Sequence, residues 1–67
     1  MKREEMLREA QRLARHVGAG MIAEHQARSV ISRMVARAEG STPAAQRLLA
    51  DLMTSFDLAL LREREIF

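Results

Sequence analysis

The sequence predicts an all-α fold in which three helices form one small bundle. Good helix formers such as Ala, Leu, Arg, Glu, Gln and Met dominate its 67 residues. The glycines and the single proline lie in two short segments, Gly18-Ala19-Gly20 and 40–43. No segment alternates apolar and polar residues between turn signals, as strands do. We therefore expect helices at about 2–17, 22–39 and 43–65, within a single domain spanning residues 1–67.

The first predicted helix has one apolar stripe at helical spacing. Its members are Met6, Ala10, Leu13, Ala14 and Val17. After this stripe, Gly18 or Gly20 can adopt the left-handed conformation that ends many helices. A short turn at this point makes helices one and two an antiparallel hairpin. The alternative is one long kinked helix, because the residues between Val17 and Ala23 include none of the usual N-cap types.

The second predicted helix also carries an apolar stripe, and it ends at Gly40. We assign seven residues to this stripe: Ala23, Ala27, Val30, Ile31, Met34, Val35 and Ala38. The boundary that follows is well marked, since Thr42 is a suitable N-cap and Pro43 suits the first helical position.

The third predicted helix is roughly 33 Å long at 1.5 Å per residue, and we expect it to be the packing spine. Its core face holds Leu48, Leu49, Leu52, Met53, Phe56 and Leu60. Leu58 and Leu61 lie about 180° and 120° from Leu49 around the helix, so one narrow stripe cannot contain them. We expect the C-terminal half of this helix to extend past the other two helices or to pair with a second copy of the chain.

Composition limits the protein's environment and its means of stabilisation. A domain of this size buries only about 60% of its unfolded surface and is marginal alone. The chain has no cysteine, so disulfides and the commonest zinc ligands are excluded. No apolar run approaches a membrane span, and the charged N-terminus is unlike a signal peptide. We expect a cytoplasmic protein that gains stability from a partner or from a homodimer.

The sequence contains no motif typical of a catalytic, metal-binding or phosphate-binding site. His16 and His25 have no acidic residue at a distinctive metal-ligand spacing, and the glycines of Gly18-Ala19-Gly20 lack the strand and lysine of a phosphate loop. We therefore expect no enzymatic activity, no cofactor and no metal.

The favoured interpretation is a non-catalytic module that binds another protein through an apolar helix face. The expected binding residues are Leu58, Leu61, Ile66 and Phe67, edged by Arg62 and Arg64. The alternative is a small regulator of the helix-turn-helix type, whose second helix enters the DNA major groove. In that case Arg28, Arg33 and Arg37 would contact nucleic acid. The net charge of only +2 makes nucleic acid the less favoured partner.

The chain also resembles a group of small regulators in its format. A short, cysteine-free chain rich in Arg, Ala and Leu, with helices divided at Gly18-Ala19-Gly20 and at Ser41-Thr42-Pro43, is similar to the anti-activators carried by bacterial integrative and conjugative elements, including those of quorum sensing. This resemblance implies a partner that is a transcriptional activator, inhibited by direct contact. It assigns no individual residues. Structural and adaptor proteins of phages or plasmids share the same format and are a further alternative.

Overall fold

A computed structural model describes residues 2–65 of the chain and shows three α-helices. They are α1 (Arg3–Gly18), α2 (Glu24–Glu39) and α3 (Pro43–Glu65). The predicted fold class is confirmed: residues 2–65 contain no strand, and α3 packs against both other helices. The bounds of α3 agree with the prediction, α1 begins and ends one residue later than predicted, and α2 begins two residues later.

The helix α1 lies alongside α3 and runs in the same direction. At its N-terminal end the Arg3 guanidinium lies 3.2 Å from the Asp51 carboxylate. At its C-terminal end Gly18 approaches α3 so closely that a Cβ on this residue would lie 2.8 Å from the Cβ of Glu63. Because such a separation is too short for two carbon atoms, glycine is required for this close approach.

The helix α2 runs in the opposite direction along α3. The side chain of Glu24, at the start of α2, meets Arg64 at the end of α3, and Arg28 meets Asp57 one to two turns earlier in α3. The bundle is thus up-down-up, with principal extents of 39 × 17 × 16 Å. The C-terminal half of α3 does not extend past its neighbours, because its last turns are level with the turn between α1 and α2. Of the two alternatives we expected, the first is therefore wrong, and pairing with a second copy of the chain stays a prediction. The N-terminal turns of α3 are the part that passes the start of α1.

The turn after α1 shows why the chain reverses there instead of continuing as a kinked helix. Gly20 adopts a left-handed conformation with φ of 75°. The N–H of Gly20 donates to the carbonyl of Val17, and the N–H of Met21 donates to the carbonyl of His16. This pair of bonds is a Schellman motif, which ends a helix at a left-handed residue. The predicted hairpin of helices one and two is therefore confirmed, with Gly20 as the terminating glycine.

The start of α2 lacks an N-cap side chain, as the sequence indicated, and a glutamine supplies part of the missing function. The side-chain oxygen of Gln26 accepts a hydrogen bond from the N–H of Ala23 at 3.2 Å.

The turn between α2 and α3 uses the predicted residues. Gly40 has a φ of 70°, and the hydroxyl of Thr42 accepts a hydrogen bond from the N–H of Ala45 at 3.1 Å. Thr42 is therefore the N-cap of α3.

The core lies between the three helices and consists of apolar side chains from all of them. Its buried members are Met6, Ala10, Leu13 and Ala14 in α1, Ala27, Ile31 and Val35 in α2, and Ala45, Leu52, Phe56 and Leu60 in α3. The small alanines of α1 and α2 allow those helices to approach α3, and the larger buried side chains of all three helices fill the interior. This arrangement leaves one side of α3 facing solvent.

Candidate protein-interaction surface

The outward side of α3 carries two leucines that the core does not use. At 100° per residue, Leu58 lies about 160° and Leu61 about 140° from Phe56, which points to the centre of the core. Leu58 is 55% exposed and Leu61 is 52% exposed, whereas Phe56 is fully buried. Because the two leucines are three residues apart, they lie side by side on one face. We call this pair the leucine face.

One edge of the leucine face borders a groove between α1 and α3. This groove has a volume of about 390 Å³ and includes Leu58, Ala59 and the guanidinium-bearing Arg15 and Arg62 in its walls. Within residues 2–65, neither arginine is recorded in an ion pair. Glu63 lies in the same walls, so the edge carries two arginines and one carboxylate. Arg15 and Arg62 can pair with carboxylates that a partner carries beside its apolar residues.

The other predicted arginine at this face, Arg64, has a different environment. Its Nη2 atom donates to Oε1 of Glu24 at 2.9 Å, so it joins the end of α3 to the start of α2. Hydrogen bonds from Arg28 and then from Arg64 hold the pKa of the Glu24 carboxyl below its ordinary value of 4.5. Arg64 is thus a bridge within the bundle as well as a residue near the leucine face.

Arg28, which we considered as a nucleic-acid contact, is also engaged within the bundle. Its Nη2 atom lies 2.6 Å from Oδ1 of Asp57 and 3.0 Å from Oε2 of Glu24. Its guanidinium carbon lies 5.0 Å from the centre of the Phe56 ring, which is a cation–π distance. Hydrogen bonds to Asp57 and then to Glu24 raise its pKa above the ordinary arginine value. These contacts make Arg28 a link between α2 and α3.

Arg33 and Arg37 are exposed on the outward side of α2. They lie beside Val30, Met34 and Ala38, and together these residues form a second groove of about 390 Å³.

The apolar members of this groove belong to the predicted apolar stripe of helix two. Five of its seven members are buried or half-buried, and Ala23 and Ala38 at the two ends are exposed. Val30 and Met34 are half-buried, because they lie about 100° and 60° around the helix from the fully buried Ile31. Ala38 lies only about 20° from Ile31 but is exposed at the C-terminal end of α2.

The relative direction of α1 and α2 bears on the helix-turn-helix alternative. In that motif the two helices meet at about 90–120° across a turn of three or four residues. Here α1 and α2 lie along α3 in opposite directions, and five residues separate Gly18 from Glu24. Glu24, near the start of the would-be recognition helix, is paired with Arg28 and Arg64. This geometry does not favour insertion of α2 into a DNA groove.

Two of the predicted binding residues, Ile66 and Phe67, lie outside the described residues. Within residues 2–65, no group of three or more His, Cys, Asp or Glu side chains is placed to hold a metal ion. In the same part of the chain, no helix has the length and apolar character needed to cross a bilayer.

Comparisons with known proteins found no relative of this chain. The chain matches no protein-family model, no curated protein and no solved structure.

Proposed function

We propose that this protein is a non-catalytic interaction module that binds another protein through the leucine face of α3. The single observation that carries the proposal is the exposure of Leu58 and Leu61, at 55% and 52%, beside each other on a helix whose opposite side is fully packed. Surplus apolar surface on a small bundle is typical of an interaction site. An apolar row with charged edges is also what helix-in-groove recognition requires.

The two leucines can supply part of the free energy of a specific interaction. Full burial of one leucine contributes about 1.5–3 kcal/mol, so burial of the exposed half of each contributes about 1 kcal/mol. The two together are therefore worth about 2 kcal/mol, or roughly a 30-fold change in affinity. Arg62 adds a cation at the edge of the same surface.

The partner we propose is a transcriptional activator that the protein inhibits by direct contact in the cytoplasm. This part of the proposal rests on the format shared with the anti-activators of mobile elements. It is compatible with a bundle in which Arg28 is engaged internally and α1 and α2 are antiparallel. A homodimer formed through the leucine face is the competing use of the same surface.

The test compares the double variant Leu58→Ser/Leu61→Ser with the wild type in pull-downs from the native host, followed by binding assays with the captured partner. We expect the double variant to bind about 30-fold more weakly, because it loses the apolar contact of both leucines. Circular dichroism should show unchanged helicity, since both side chains point to solvent.

Met21→Ser is the matched control, because Met21 is the other large apolar side chain that is exposed among residues 2–65, at 72%, and it lies in the turn after α1. This variant should bind the partner as the wild type does. Sedimentation of each protein alone distinguishes a homodimer from a separate partner. Undiminished binding by the double leucine variant would show that the partner does not bind the leucine face.

A further inference from the structure

The middle of α2 carries positive charge only. Residues 25–38 contain three arginines and no aspartate or glutamate, and Glu24 and Glu39 lie at the two ends of the helix. The solvent-facing surface between these two ends is therefore cationic.

Two of these three arginines are free to meet a ligand. Arg28 is committed to Glu24 and Asp57, but within residues 2–65 no ion pair is recorded for Arg33 or Arg37. Both are exposed, and they are four residues apart on one side of α2. They can each present a guanidinium fork to a carboxylate without breaking a contact within the bundle.

An apolar row lies directly beside these arginines. Val30, Met34 and Ala38 are spaced four apart, so they form a row about 12 Å long on α2. Val30 and Met34 pack in part against the core and expose the rest of their side chains, and Ala38 is exposed. Together with Arg33 and Arg37 they line a groove of about 390 Å³. Methionine in such a position can adapt its shape to different apolar side chains.

We propose that this groove binds an acidic amphipathic helix of another protein. The apolar row of that helix packs on Val30, Met34 and Ala38, and its flanking carboxylates pair with Arg33 and Arg37. The surface lies on a different helix from the leucine face. This proposal does not depend on the function proposed for α3.

The composition of the groove favours this occupant over the others. A nucleic acid would use the two guanidinium groups but would leave the apolar row without a partner, and the described groove has no aromatic residue for base stacking. A second copy of this chain offers no uniformly acidic helix, because α1 and α3 carry arginines among their acids. An acidic amphipathic helix satisfies both the charge and the apolar surface.

The probe for the test is a fluorescein-labelled synthetic peptide of about 16 residues, with leucines at i, i+3, i+4 and i+7 and glutamates at the flanking positions. Two further peptides are its controls: one has the same composition with the leucines dispersed around the helix, and one has lysine in place of each glutamate. Fluorescence anisotropy measures the affinity of each for the full chain. We expect the acidic amphipathic peptide to bind at least tenfold more tightly than either control.

The decisive variant is Arg33→Glu/Arg37→Glu. Its control is Arg8→Glu/Arg47→Glu, which changes the net charge by the same amount at exposed arginines of α1 and α3. We expect at least tenfold weaker peptide binding by the first variant and less than twofold change in the second. If circular dichroism shows that Arg33→Glu/Arg37→Glu is unfolded, Arg33→Gln/Arg37→Gln replaces it with the same expected direction. The variant Leu58→Ser/Leu61→Ser should retain peptide binding, which separates this site from the leucine face.

Three results would overturn the proposal. One is equal loss of affinity in the two charge-reversal variants, which would indicate a general charge effect. Another is equal binding of the dispersed-leucine peptide, which would show that the apolar row is not used. The third is binding of a short DNA duplex that depends on Arg33 and Arg37 while the acidic peptide does not bind, which would assign the surface to nucleic acid.

Discussion

The two sides of α3 are built from similar residues and have opposite environments. The inward side presents Leu52, Phe56 and Leu60 to the other helices, and each is almost completely buried. The outward side presents Leu58 and Leu61 to solvent, and more than half of each side chain is exposed. Leu60 and Leu61 are adjacent in sequence, but a 100° rotation between them separates a core residue from a surface residue.

This difference indicates that the apolar residues of α3 fall into two groups, each of which needs its own explanation. The inward residues are sufficient to account for the bundle, because they contact the buried side chains of both α1 and α2. The outward leucines add nothing to that interior. They are therefore the residues whose presence calls for a second explanation, and contact with a partner is the one we propose.

The first prediction tests the comparison directly, and its expected effect is the largest. Phe56→Ala removes a fully buried ring from the centre of the core and should destabilise the fold by about 3–5 kcal/mol. A domain of this size has a total stability of roughly 3–10 kcal/mol, so a large part of the variant population should be unfolded. Leu58→Ala should change stability by less than about 0.5 kcal/mol, because its side chain is on the surface.

Urea denaturation followed by circular dichroism measures both variants of this first comparison. The contrast would fail if Leu58→Ala lost as much stability as Phe56→Ala. That result would mean that the outward side of α3 is packed in solution, as in an obligate dimer, and the concentration dependence of unfolding would then reveal it.

The second prediction concerns how closely the inward side of α3 is packed at its C-terminal end. Gly18→Ala places a Cβ 2.8 Å from the Cβ of Glu63, and that atom is attached to the α3 backbone and cannot rotate away. The helices must separate, at a cost of about 1–3 kcal/mol. The better helix propensity of alanine offsets up to about 1 kcal/mol of this cost. Thermal unfolding should therefore show a net loss of stability.

A double-mutant cycle distinguishes this steric effect from other consequences of Gly18→Ala. Glu63→Gly removes the opposing Cβ, so the double variant should be more stable than the sum of the two single changes predicts. Glu63→Ala retains the Cβ and should give no such relief. Additive effects in the Glu63→Gly cycle would show that α1 and α3 are not in close contact at this point.

Much of the fold could be predicted because its boundaries depend on local chemistry. Thr42 and Pro43 start α3 through a cap and a suitable backbone angle, and Gly20 and Gly40 end helices through positive φ values. Each of these effects involves only a few neighbouring residues, so the sequence displays them directly. The exposure of Leu58 and Leu61 could also be predicted, because helical rotation alone places them away from Phe56.

The parts that could not be predicted depend on neighbours distant in sequence. Helical spacing places Ala38 on the same side of α2 as Ile31, but it does not reveal how far along α2 the other two helices cover that side, and Ala38 is exposed. The pairing of Arg28 with Asp57 joins residues of different helices and has no local pattern. For the same reason the alternative role of Arg28 in nucleic-acid contact could be assessed only from the assembled bundle.

The third prediction concerns the border between the two sides of α3, where Arg64 and Asp57 pair with α2, and its expected effect is the smallest. Because hydrogen bonds from Arg28 and Arg64 lower the pKa of Glu24 in the folded state, the ionised carboxylate favours folding. This contribution is fully present above the ordinary pKa of 4.5 and is lost as the pH falls from 4.5 through the lower folded value. Glu24→Gln should therefore show a shallower loss of stability below pH 4.5 than the wild type.

An NMR titration of the glutamate side chains locates this effect in the Arg28 contact. Arg28→Met should raise the titration midpoint of Glu24, because it removes the largest cause of the lowered pKa. Glu9 supplies the control in the same sample, since its pKa is lowered first by a hydrogen bond from Arg12 within α1. An unchanged Glu24 midpoint in Arg28→Met would mean that the ion pair between Arg28 and Glu24 within α2 does not form in solution. The same titration of Arg64→Met tests the pair that joins α3 to α2, and an unchanged midpoint there would mean that this border of α3 is open to solvent.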